Sequence, residues 1–412
     1  MTDVVTAAEL DLVRAHARAE RGRRRTAFLL VAPLFVFLIF TFLVPIGDML
    51  RRSVVDTDVA SVWPKSVEIL RAWDGAGEAP ATLWPALAAD IRTSASADTV
   101  AVAARRLNYA VDGGRTLVMK AARRLAKVTE PPGGDWKKVF VELDEAWTKP
   151  ATLTALRRAA GPTTDFFLLA SLDLRKTDTG AVVSVPEKDA IYRQVLWRTF
   201  TVGGTVTLFA LLIGYPYAFL MTRASKRVGA VMTVFVLLPF WTSLLVRTAA
   251  WIVLLQEHGI VNNLLVWLGI LDHPARLIFN RVGVVVAMTH VLLPFMVLPL
   301  SAVMRGIRPE TVRAARSLGA TPWTAFRRIY FPQTLPGVAA GVLLVFISAI
   351  GYYITPALVG GADDQMLSWF IAFFVNDTIN WGLAAALGVV LLVCTTVLSV
   401  VYAKIATGRR FA

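Results

Sequence analysis

Long, almost uncharged apolar runs alternate along this chain with short basic or mixed-charge segments. A bilayer core of ~30 Å takes roughly 20 apolar residues wound as a helix, because backbone N–H and C=O groups in hydrocarbon must pair within their own segment. Six runs reach that length: residues 26–47, 196–221, 229–255, 282–304, 337–359 and 383–405. Pro45, Pro216, Pro239, Pro294, Pro299 and Pro356 interrupt them, as membrane helices tolerate. The pattern predicts an all-α membrane protein with six transmembrane helices.

Residues 48–195 break the pattern: charges are dense and balanced, and nothing there is long enough to cross a bilayer. Amphipathic stretches at 83–91, 116–128 and 135–147 predict short helices, with a turn at Pro131-Pro132-Gly133-Gly134. TDTG, from Thr177 to Gly180, predicts a tight turn between short strands at 165–174 and 181–185. The expectation is a small α+β domain inserted between the first and second spans. Such an insert either caps the outer mouth or meets a solute-delivering protein, and the sequence leaves both open.

Composition and charge sharpen this picture. Of the 412 residues 56% are hydrophobic and 17% charged, with mean hydropathy +0.58; soluble domains carry about 25% charged residues. The formal charge of +14 is unevenly placed. Basic residues crowd the tail 1–25 (Arg21, Arg23, Arg24, Arg25), then 223–227, 305–335 and 404–412, whereas 360–381 carries Asp363, Asp364 and Asp377 and no cation. By the positive-inside rule both termini lie in the cytoplasm and the insert is periplasmic. The charge is thus an orientation signal rather than a nucleic-acid footprint. The first run follows its basic cluster without a small-residue cleavage pattern and reads as a signal anchor. The single cysteine, Cys394, excludes an intramolecular disulfide, a zinc cluster and a CxxC redox site. The four histidines lie apart, and neither GxxxxGK[ST] nor HExxH occurs. No cofactor, metal site or enzymatic activity is expected, and the chain cannot hydrolyse ATP by itself.

The most informative segment is 305–336, RGIRPETVRAARSLGATPWTAFRRIYFPQTLP. Pro309 suits a first helical position and Glu310 the positive helix end. Gly319 suits a left-handed residue after the helix. Thr321 can cap a second helix that opens with Pro322 and ends at Pro332. Trp323, Phe326 and Tyr330 fall on one stripe, with Arg327 and Arg328 beside it. Two bent helices of this kind either lie on the lipid surface or fit a groove in a cytoplasmic partner.

Ala314, Ala315 and Gly319, followed by Phe326, Ile329 and Pro332, resemble the EAA loop of ABC importer permeases. The resemblance implies the type I ABC importer permease fold, with five helices in 196–412 following the first span and the loop 305–336 inserted as a coupling helix into a nucleotide-binding subunit. It implies coupling roles for Arg313, Ala314, Ala315, Arg316, Gly319, Trp323, Phe326, Ile329 and Pro332. Arg313 stands where the family often has Glu. A Gly319→Asp change is expected to uncouple transport, through the left-handed backbone and a groove without room. GYPYAF (214–219), LPFWTSLLVRTAAW (238–251), GIVNNLL (259–265) and LLPFMVLPL (292–300) are similar to the spermidine/putrescine importer permease of the B type. That implies a polyamine cargo, two copies of a cytoplasmic ATPase, a related C-type second permease and a periplasmic binding protein.

A transported cation would want carboxylates and aromatic faces. Candidates near the outer mouth are Glu257, Asp363, Asp364, Trp241, Trp251, Tyr352 and Tyr353, the aromatics serving equally well as interface anchors. Arg247 is a charge inside a span, which normally faces a cavity or partner; Glu257 is its nearest candidate. His290 reads as a hydrogen-bonded packing residue. An ion-coupled secondary transporter would need inverted repeats over more spans. A membrane enzyme would need a cluster of polar groups.

Overall fold

The computed structural model describes residues 7–408 except 76, 129, 178 and 179. The extreme ends of both basic tails (1–6 and 409–412) and the middle of the TDTG turn therefore lie outside the described residues. The chain divides into two units, 1–52 and 53–412.

In the first unit, helix Ala7–Leu38 runs through a π turn, Ile39–Leu43, into helix Val44–Val54. Pro45 is the second residue after the π turn. A proline lacks the N–H of an α ladder, and the wider turn before it accommodates that gap.

In the second unit, the insert has a core of its own. Trp63, Leu70, Leu83, Leu87, Ile91, Leu107, Leu125, Phe140, Trp147 and Leu156 are all fully buried, and Phe140 packs edge-on to Trp147 at 5.1 Å. Asp56 and Arg106 form a buried ion pair, Oδ2 to Nε at 2.5 Å, with Arg106 lying 4.4 Å over the Phe166 ring. Asp90, also buried, accepts from the backbone N–H and hydroxyl of Ser66. The three expected helices form as Leu83–Ser96, Gly114–Leu125 and Trp136–Leu143. The expected hairpin forms too, but shorter: Leu174–Lys176 pairs antiparallel with Val182–Ser184. Residues 166–170 coil instead into helix Phe166–Ala170, whose Phe167 packs on the membrane helices. Five consecutive apolar residues carry no strand-type alternation, so burial decided their conformation.

Six helices are long and apolar enough to cross a membrane: Gly22–Val54, Tyr192–Arg223, Leu244–Trp267, Arg281–Arg305, Pro322–Gly351 and Trp381–Ile405. The third departs from expectation. Residues 229–255 are not one helix but two, Lys226–Trp241 and Leu244–Leu255, broken where the Ser243 hydroxyl caps the second by accepting from Val246 N–H. The expected loop after it contains helix Ile260–Trp267. The fifth is shifted: it starts at Pro322, continues through a second π turn, Phe326–Tyr330, and stops at Gly351, so 354–359 is a separate short helix. Pro332 therefore does not end the helix that opens at Pro322. It follows a π turn, as Pro45 does.

The second, fourth and fifth spans form the centre of the membrane part. Gly214 and Gly341 both face Met296, where an added Cβ would lie 2.9 Å and 2.7 Å from its side chain. Small residues at these crossings allow the close helix approach that drives association in lipid. Cross-links fix the rest: Thr248 to Thr355 at 3.2 Å, and Leu367 N–H to the Thr199 hydroxyl at 2.9 Å.

Candidate functional site

Two places hold the residues singled out from the sequence. The first is the bent segment that leads into the fifth span. Helix Pro309–Ser317 opens with Pro309 in the first turn beside Glu310. It closes in a Schellman turn: Gly319 N–H donates to Arg316 C=O at 3.0 Å and Ala320 N–H to Ala315 C=O at 3.1 Å. Gly319 has φ +89°, a region that favours glycine. Thr321 accepts from Thr324 N–H at 3.2 Å and caps the next helix, which opens with Pro322.

The aromatic stripe does not face one way. Trp323, Phe326 and Tyr330 stack in series at 5.9 Å steps, from 68% exposed at Trp323 to buried at Tyr330. Phe326 packs edge-on to Phe219 and Tyr215 of the second span, and Ile329 is half-buried. These rings join the segment to the bundle. The apolar groups left outside are Trp323 and Leu318, the latter 89% exposed. Sequence reading passed over Leu318; its signal was a large apolar residue just before a left-handed glycine. Ala314 is exposed and Ala315 half-buried, whereas Arg313 and Arg316 line a cleft with Pro309 and Val312 on the opposite helix face.

The second place is a cavity of about 600 Å³ among the second, third and fourth spans. Trp251, Arg281, Thr289 and His290 line it. Trp251 Nε1 donates to His290 Nδ1 at 3.2 Å, so the histidine is hydrogen-bonded as expected, yet it also faces the cavity. Among the described residues Thr289 Oγ1 and Arg247 Nε are buried without a hydrogen-bond partner. Among the described residues Arg247 makes no ion pair with Glu257, which is exposed. Asp364 is buried and committed to structure: it accepts from Arg281 Nε at 3.2 Å and from Gly361 N–H. Asp363, Trp241 and Tyr353 are exposed and join no cluster. Thr289 and Arg281 gave no signal in the sequence, since neither stands out until the spans meet. No group of His, Cys, Asp and Glu suited to a metal ion occurs among the described residues.

Comparison with known proteins gives this geometry its context. Residues 206–410 match the family described as binding-protein-dependent transport system inner membrane component. The spermidine/putrescine transport system permease protein PotB of Haemophilus influenzae is 35% identical over 212 residues, covering 52% of this chain and 74% of that protein. This chain belongs to that family of ABC importer permeases. PotB of Escherichia coli is 32% identical over 214 residues, 52% of this chain and 78% of that protein. A solved bacterial ABC transporter involved in alginate import aligns with TM-score 0.43 and 20% identity over 54% of this chain and 80% of its own. As a member of the family the permease is a multi-pass inner-membrane protein, a transport subunit rather than an enzyme.

Proposed function

We propose that this permease forms half of the pathway for a polyamine such as putrescine or spermidine, delivered by a periplasmic binding protein. Identity of 35% over 212 residues to a spermidine/putrescine permease carries this reading. Its partners are two copies of a cytoplasmic ATPase and a second, C-type permease. Both termini face the cytoplasm, where the segment around Gly319 docks on the ATPase through Ala314, Ala315, Leu318 and Trp323. Closure of the ATPases pushes on that segment, and the inward-packed Phe326 and Tyr330 pass the motion to the second span, so that inner and outer openings alternate. The carboxylates left for a cationic cargo are Glu257 and Asp363. A second reading within the same family is favoured by Arg247: its Nε, buried without a hydrogen-bond partner among the described residues one helical turn before the Trp251 that bonds His290, suits a cargo with an anionic group.

Uptake of labelled spermidine by cells expressing the assembled transporter separates the two. Saturable uptake that falls on Glu257→Gln or Asp363→Asn supports the polyamine. Uptake of carboxylate-bearing solutes only, lost on Arg247→Gln, would favour the second. Purification without any co-purifying ATPase would refute the docking role.

A further inference from the structure

The cleft on the inward face of helix Pro309–Ser317 has a chemistry that docking does not use. It has a volume of about 440 Å³ and is walled by the last turn of the second span, the end of the fourth span, and helix Pro309–Ser317. Four arginines line it, Arg223, Arg305, Arg313 and Arg316, with Thr222 and the buried Tyr330. No carboxylate lines it, and none of the four arginines forms an ion pair among the described residues. Glu310, one turn before Arg313, forms none either. Arg223 lies over the Phe219 and Tyr330 rings, at 4.1 and 5.1 Å, which fixes its guanidinium at the cleft wall.

We propose that this cleft binds a phosphate ester. Four like charges around one cleft repel each other unless an anion is among them. Guanidinium forks match phosphate oxygens bidentately, and the Tyr330 hydroxyl stands at the same cleft, while Thr222 Oγ1 donates to Phe219 C=O at 3.0 Å. Arg223 and Arg305 are the last residues of their spans, so the cleft sits at the level where lipid phosphates lie. Its volume suits a headgroup or a small soluble phosphate. A phosphate held there ties the span ends to the docking helix and stiffens the joint through which that helix moves. The consequence for transport rests on the docking reading above; the binding itself does not, and is measured on the permease alone.

The test uses the full chain in nanodiscs of phosphatidylcholine, with and without phosphatidylglycerol, read by thermal unfolding, and pyrophosphate titrated into the phosphatidylcholine discs by calorimetry. A stabilisation given by phosphatidylglycerol only, and lost in Arg313→Gln/Arg316→Gln, supports the site with a lipid as its source. Pyrophosphate binding that the same variant weakens about tenfold or more supports it with a soluble source. Should the glutamine variant not fold, Arg313→Lys/Arg316→Lys keeps the charge but loses the forks, and is expected to bind more weakly than wild type. No response of the wild type to either probe, or equal responses of wild type and folded variants, overturns the proposal. So does loss of ATPase co-purification in the glutamine variant while probe binding is unchanged, which would assign the arginines to carboxylates of the ATPase.

Discussion

At the residue scale, the bend of the segment proposed to dock depends on one backbone angle. No atom of this chain lies within 4 Å of a Cβ built on Gly319, so the expected lack of room belongs to the partner's groove. Within this chain the cost of Gly319→Asp comes from φ +89°, about 1–2 kcal/mol. That is enough to unwind the Schellman turn and let Leu318 and Trp323 lose their relative placement. The expected result is a folded permease with little uptake and less co-purified ATPase; wild-type levels of both would contradict it. Arg106 presents the opposite case, a side chain whose surroundings matter more than its backbone. Arg106→Ala leaves the Asp56 charge buried and unpaired, a loss of about 3–5 kcal/mol. Because Trp63, Trp84 and Trp147 are buried in the same insert, its loosening should appear as a red-shifted tryptophan emission. Cap chemistry is local, which is why Pro309, Gly319 and Thr321 were legible in the sequence. Asp364 was not, because the arginine that claims it lies 83 residues away.

At the element scale, hydropathy located the membrane helices but not their breaks. An apolar run looks the same whether it is one helix or two, so the capped break at Ser243 and the stop at Gly351 escaped the pattern. Proline misled in one case for a physical reason. Pro332 marks a helix end only if the ladder before it is α-helical, and the π turn Phe326–Tyr330 removes that condition. What the elements do once placed is set by close approach. Gly341→Leu would drive a side chain into Met296, whose Sδ would lie 2.7 Å from the new Cβ. The crossing of the fourth and fifth spans should open, costing about 1–3 kcal/mol or more, with aggregation on gel filtration. Met296→Ala in the same chain should restore much of the monodisperse peak; failure of that rescue would mean the glycine matters for another reason.

At the scale of the whole molecule, the insert is joined to the membrane part as a detachable body would be. Its two ends meet: Thr164 N–H donates to Val54 C=O at 2.7 Å, and Val55 bridges to Thr163. The chain leaves and returns at nearly one point, while a separate core closes over Trp63, Phe140 and Trp147. The matched family region, 206–410, lies wholly beyond the insert. Replacing residues 56–162 by a short Gly-Ser link should therefore leave the permease folded and bound to its ATPase, since every docking residue lies beyond 305. Uptake should fall if the insert receives the delivering protein, and persist if it only shields the mouth. Measuring the two readouts together separates these roles, which the sequence left open because charge balance alone does not say what a surface meets. Loss of ATPase co-purification on excision would contradict the division itself: the insert would then be part of the scaffold on which the spans assemble, through Arg106 over the Phe166 and Phe167 rings, of which Phe167 packs against the sixth span.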